Sequence, residues 1–277
     1  MSRLITALIA LPIIIASILL EPLALLFVAV ALAAMLTGLH EFWLLARRRE
    51  LKPELTVGTL AAAALFAAFY FNAPYRDPRL MLVVLCLFVI ATLAGAMLRG
   101  APFERLMTST AVTVSGVMYV ALLGGHLVAL RTGFVQPLAA DLLCFFFLVL
   151  MGADTAAYYT GRAFGRHKLA PSVSPGKTWE GAAGGMLASL AAAIIAHFWF
   201  FPELSLQAAL PLAASMNVLG VVGDLTESAL KRGAGAKDAA NILPGHGGLL
   251  DRLDSLLFNA PVIYYFAVYY FGDVFIK

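Results

Sequence analysis

Residues Leu80–Leu98 read LMLVVLCLFVIATLAGAML, 19 positions without a single charge. As a helix rising 1.5 Å per residue, such a run crosses the roughly 30 Å hydrocarbon core of a bilayer. It is not alone. Apolar windows over 4–20, 23–40, 55–71, 80–98, 107–130, 138–158, 179–201, 205–226 and 255–272 predict nine spans. A mean hydropathy of +0.90, with 62% apolar and 13% charged residues, lies far from soluble domains, in which about a quarter of residues are charged. A β-barrel would need alternating segments of about ten residues instead. The expected fold is an all-α polytopic integral membrane protein of about nine transmembrane helices.

The distribution of Lys and Arg sets the expected orientation, because cytoplasmic loops retain basic residues. With the N-terminus in the cytoplasm, the inner segments hold Arg3, Arg47–Arg49 with Lys52, Arg99 with Arg105, and two later groups. Those are Arg162, Arg166, Lys168 and Lys177, then Lys231, Arg232, Lys237 and Arg252. Together these are 15 of the 19 basic residues, leaving Arg76, Arg79, Arg131 and Lys277 outside. The C-terminus is then external. The net charge of +3 follows from this topology, and no nucleic-acid partner is expected. The segment 4–20 exceeds the apolar core of a signal peptide and no small-x-small site follows it, so a retained first helix is expected. Cys86 and Cys144 lie inside apolar runs at no motif spacing and read as small buried hydrophobes.

Polar chemistry concentrates in the second half. Residues 1–135 read as membrane scaffold helices, and 136–277 as a catalytic membrane domain with cytoplasmic loops at 159–178 and 227–254. Acids occur in or beside apolar runs: Asp154 after FFFLVLMGA, and Asp224 and Glu227 at the end of MNVLGVVGDLTES. An ionisable group at membrane depth costs several kcal/mol on insertion scales, so it is paired, faces a wet cavity, or works. Interfacial snorkelling with a nearby Arg is the alternative for Asp154 and Glu227. Tyr158 lies one helical turn beyond Asp154 and shares its face.

Asp251 and Asp254, at i and i+3 of a helix start, can converge on a divalent cation, with Asp224 as a third ligand. Magnesium suits such a partial shell, which substrate phosphates and water would complete. Acids are also favoured in a first helical turn for electrostatic reasons alone. Lys231, Arg232, Lys237 and Lys177 are expected from topology and can bind anionic lipid. Lys237-Asp238, in a Gly-rich loop, suits a metal-bound polyphosphate better. Pro244-Gly-His246-Gly-Gly248 is a backbone-exposing turn, whose His246 can donate to phosphate or move a proton. Ser174-Pro-Gly-Lys177-Thr178 lacks the upstream glycine of a Walker loop. It reads as an N-cap before a helix starting near Trp179, or as a phosphate site at that helix end.

The run Ser228-x2-Lys231-Arg232-x4-Lys237-Asp238-x-Ala240-x2-Leu243-Pro244-x-His246-Gly247-Gly248-x2-Asp251-Arg252-x-Asp254 resembles the signature of the phosphatidate cytidylyltransferases. Gly152–Arg162 and Ser174–Gly181 are similar to a second block of that family. The resemblance is close over about 150–260. It implies transfer of a cytidylyl group from CTP to phosphatidic acid in the cell's inner or plasma membrane, at the cytoplasmic face. Magnesium with a second cation, membrane lipids as surroundings, and a homodimer are implied too. On this reading Asp224 and Asp251 are primary metal ligands, with Asp254, Glu227 and Asp238 secondary. Lys231, Arg232, Lys237, Lys177 and His246 hold phosphates; Ser174, Thr178, Arg252, Asp154 and Tyr158 complete the substrate site. A transporter would spread polar groups through mid-membrane, and a CTP-dependent kinase of a polyprenol-type alcohol would need a base.

Overall fold

The structure, a computed structural model, describes residues 12–73, 78–100, 103–238 and 248–272. Residues 12–19 are helical and lead through a short turn into α1 (Ala24–Arg47). Next come α2 (Leu55–Phe71), α3 (Pro78–Leu98) and α4 (Leu106–Gly116). A π-helical turn, Val117–Leu122, carries α4 directly into α5 (Leu123–Gly133). The second half comprises α6 (Leu138–Phe164), strands β1 (Lys168–Ala170) and β2 (Ser174–Thr178), then α7 (Trp179–Trp199), α8 (Leu206–Gly233) and α9 (Leu250–Phe271).

Among the described residues, six helices are long and apolar enough to cross a membrane, as in a polytopic membrane protein. They are Glu21–Arg47, Arg79–Leu98, Phe103–Gly133, Leu138–Phe164, Trp179–Trp199 and Leu206–Gly233; Leu55–Phe71 is apolar but shorter. Residues 4–11 of the expected span 4–20 lie outside the described residues, and 12–19 are helical. The all-α expectation needs one correction: β1 and β2 form an antiparallel hairpin, Lys168 opposite Thr178 and Ala170 opposite Ser174. The extended backbone there follows from Pro171 and Pro175, which disfavour helix in the residues before them. Both expected loops are also shorter than the sequence suggested. Helix α6 runs on to Phe164 and α8 to Gly233, because their last turns lose no backbone hydrogen bonds by leaving an apolar environment.

Outward faces are apolar. Leu82, Val83, Leu87 and Ile90 of α3 are exposed, which suits lipid tails and no aqueous surface. Two buried clusters fill the interior. One surrounds Leu142, Phe145, Phe146 and Val149 of α6; the other joins Leu39, Phe42 and Trp43 of α1 to Leu65, Phe66, Val117 and Val120. Helix α9 belongs to both: Leu250 and Leu257 pack in the second, Ile263, Tyr264 and Ala267 in the first. Buried Arg131 donates to the carbonyls of Ser17 and Leu20, both at 3.2 Å, so the end of the 12–19 helix is tied to α5.

In lipid, helices attract one another chiefly through close packing of small residues. Along α6, Ala153, Ala157, Thr160 and Gly161 meet Gly181, Gly184 and Gly185 of α7; a Cβ on Gly181 would stand 2.8 Å from the Ala157 carbonyl oxygen. That contact turns the Asp154–Tyr158 face of α6 toward the start of α7.

Candidate active site

The C-terminal end of α6, the N-terminal end of α7, the C-terminal end of α8 and the N-terminal end of α9 meet at one end of the bundle. They enclose a cavity of about 520 Å³ with the β hairpin over it. Asp154, Tyr158 and Arg162 line it from α6, Ser174, Lys177 and Thr178 from β2, and Asp224 from α8. Asp251, Arg252 and Asp254 line it from α9. Nine of the expected site residues thus share one wall system, although Asp154 and Asp254 are separated by a hundred positions in the chain.

Local chemistry explains how each arrives. Thr178 caps α7, its hydroxyl accepting from the Gly181 N–H at 3.1 Å, as expected of an N-cap. Glu180 in the first turn accepts the backbone N–H groups of Arg166 and His167 at 3.1 and 3.2 Å, and its other oxygen lies 2.6 Å from His167 Nδ1. The hairpin is therefore pinned at its base, and β2 delivers Lys177 across the cavity. The Lys177 ammonium lies 2.5 Å from Asp224 Oδ2. Arg232, exposed at the end of α8, donates to the Val173 carbonyl at 3.3 Å and so holds the hairpin from the other side.

Asp251 is held from both sides. Oδ1 is 2.6 Å from Lys231 Nζ, and Oδ2 accepts the Gly248 N–H at 2.9 Å. The same ammonium lies 2.5 Å from Glu227, whose side chain is only 1% exposed. Lys231 and Glu227 therefore stand behind Asp251 rather than on the cavity wall. Asp254 is buried and accepts the Ser255 N–H at 2.6 Å. Arg162 donates to the Tyr158 hydroxyl at 3.3 Å.

Lys237 and Asp238 are exposed beyond the end of α8 and do not line the cavity. His246 lies outside the described residues. Two residues were not assigned to the site from the sequence. Arg162 stands one turn beyond Tyr158, a spacing that carried its own signal. Glu41, an acid at the end of the second apolar window, is fully buried; its carboxylate accepts the N–H groups of Leu249 and Leu250.

The donor set suits a hard divalent cation: the acids facing the cavity offer only carboxylate oxygens, the ligands magnesium prefers alongside phosphate and water. Among the described residues no three His, Cys, Asp or Glu side chains stand close enough together to share an ion. Asp224 and Asp251 are drawn onto lysines instead, which marks both as positions that favour positive charge.

Helices α8 and α9 approach closely beside these acids. A Cβ on Gly223 would stand 2.6 Å from the Asp254 carbonyl oxygen, a backbone atom that cannot rotate away. Gly223→Ala is expected to separate the helices between Asp224 and Asp254 and to destabilise the protein by about 1–3 kcal/mol. Melting of the detergent-solubilised variant checks this, and an unchanged midpoint would contradict the close packing.

A bundle of lipid-facing helices with one acidic, basic-lined cavity where four helix ends meet defines a membrane protein whose polar chemistry sits at the end of its helices. The comparison with known sequences is narrower: over residues 1–270 the chain matches, and belongs to, the cytidylyltransferase family. It is 45% identical over 129 residues to a phosphatidate cytidylyltransferase of Haemophilus influenzae, covering 45% of each chain. It is 46% identical over 127 residues to one of Pseudomonas aeruginosa, covering 46% of this chain and 47% of that protein. It is also 41% identical over 184 residues to the uncharacterized protein YnbB of Escherichia coli, covering 65% and 60%. The chain thus spans about half the length of the relatives it matches.

Proposed function

We propose that the chain is a phosphatidate cytidylyltransferase, converting CTP and phosphatidic acid into CDP-diacylglycerol and pyrophosphate. The observation that carries this reading is the cavity at the end of an apolar bundle, which Asp154, Asp224, Asp251 and Asp254 line together with Lys177, Arg162 and Arg252. A site for two anionic phosphates and the cation between them needs both signs of charge, placed where a lipid headgroup reaches.

In the reaction a phosphate oxygen of phosphatidic acid attacks the α-phosphorus of CTP. The bond from that phosphorus to the α,β-bridging oxygen breaks, and pyrophosphate leaves with the bonding pair. Magnesium, when bound, neutralises the phosphate oxygens and the charge developing on the leaving group. Asp224 and Asp251 would hold it, with Asp254 beside them. Lys177 and the cavity-lining arginines orient the triphosphate, and the enclosing helix ends bring the two phosphates together. The Lys231 ammonium, 2.6 Å from Asp251 Oδ1, holds that carboxylate in place. No general base is needed, because a phosphate monoester is already an anion; this separates the reading from a CTP-dependent lipid-alcohol kinase.

The basic-residue count supports nine crossings with the N-terminus and the cavity on the cytoplasmic side of the cell membrane, where CTP is found. The resemblance supports a second cation and a homodimer. The two halves, 1–135 and 136–277, are taken as scaffold and catalytic units, with α9 seated against both.

The test is incubation of the solubilised chain with magnesium, α-phosphate-labelled CTP and phosphatidic acid. Label is expected in the lipid phase, dependent on both substrates and lost on chelation. A chain that is folded yet leaves all label in the aqueous phase would refute the assignment.

A further inference from the structure

The buried Glu41 stands 208 and 209 positions before the two residues it binds. Its Oε1 accepts the Leu249 N–H at 2.9 Å and its Oε2 the Leu250 N–H at 2.7 Å. These are the residue preceding α9 and the first residue of α9, whose N–H groups have no partner inside the helix. Leu249 carries no capping side chain, so the acceptor has to come from elsewhere. Glu41 is 0% exposed, and among the described residues no Lys, Arg or His pairs with it. Its charge is answered by the two N–H groups and the positive end of the α9 dipole. One turn earlier on α1, Gly38 lets the helices close: a Cβ there would stand 3.2 Å from the Leu253 side chain.

We infer that Glu41 is a positioning residue, acting through α9 to aim Asp251 and Asp254 into the cavity; the catalytic consequence rests on the reading proposed above. Two hydrogen bonds at successive residues fix both the rotation and the axial position of the first turn. Asp251 follows Leu250 directly, and Asp254 lies in the next turn. The first half of the chain, which reads as scaffold in the sequence, thereby sets the geometry of the acids in the second. A glutamine at 41 offers one carbonyl oxygen and turns an NH₂ group toward the other N–H, so it loses the charge and half the cap.

The test uses the full chain in detergent. In wild type without ligand, the amides of Leu249 and Leu250 should exchange slowly with deuterated water despite lying at a helix end; free exchange there would overturn the proposal. In Glu41→Gln, exchange over 248–254 should accelerate at least about tenfold while 260–271 is unchanged. The magnesium concentration for half-maximal turnover should rise about 10–100-fold, the range typical of groups that orient metal ligands. The KM for phosphatidic acid should stay within about twofold. Glu41→Asp, which keeps the charge on a shorter arm, should fall between the two. A merely structural role would lower the melting midpoint and leave the magnesium dependence unchanged, and that result would overturn the inference. If wild type produces no cytidine lipid, the proposed function fails while the exchange measurements still report on Glu41.

Discussion

Asp251→Asn is expected to lower cytidylyl transfer at least about 100-fold while the protein still folds and inserts. The asparagine carbonyl can accept the Gly248 N–H that Asp251 accepts at 2.9 Å, so the start of α9 keeps its local hydrogen bond. What disappears is the charge facing Lys231 and the cavity. Groups that merely orient metal ligands cost about 10–100-fold when removed, so a charge in direct reach of the phosphates should cost at least the upper end. Asp224→Asn should behave alike, since its carboxylate answers Lys177 across the same cavity. Initial rates with labelled CTP, beside a melting curve for each variant, provide the measurement. A variant that melts like wild type and turns over within threefold of it would remove that acid from the proposed metal site.

The second large effect is on stability. Lys231 is the common partner of Glu227 and Asp251, at 2.5 and 2.6 Å, in a setting where all three side chains are mostly buried. Lys231→Met leaves the Glu227 carboxylate, 1% exposed, without its cation. Breaking a buried pair from one side costs about 3–5 kcal/mol, because the remaining charge keeps its desolvation penalty. Replacing both members relieves that penalty, so Lys231→Met with Glu227→Gln should recover at least half of the loss. Denaturant titration in detergent measures both. If the double variant is no more stable than the single one, Glu227 is not the uncompensated charge. Activity should stay low in both variants, because Asp251 has lost its partner either way.

Much of the site was legible before folding was considered. Asp154, Asp224, Asp251 and Asp254 stood out because a carboxylate beside an apolar run is expensive, and the structure gathers all four on one cavity. Lys177 was legible as a candidate, and the hairpin explains how it reaches Asp224. Glu41 satisfied the same criterion as Asp154 and was missed, because its partners are backbone N–H groups that no side-chain pattern reveals. Glu227 and Lys231 were expected on the metal and the phosphates. Their spacing at i and i+4 equally suits an ion pair on one helix, and in the structure that pairing places them behind Asp251. The short strands were hidden for another reason: Ser174–Thr178 has no hydrophobic alternation, and its pairing depends on the turn after Ala170 and on Glu180 holding the hairpin base.

The amino-acid sequence alone determined that this chain is a helical membrane protein with its polar chemistry in the second half. Hydropathy and charge are sums over neighbouring residues, and the cost of a charge in hydrocarbon is paid locally. Only the tertiary structure decided which acid faces which base, and that the first half caps the helix bearing Asp251. Those outcomes depend on how closely glycine-lined helices approach and on where their ends fall, which are distances between residues far apart in the chain.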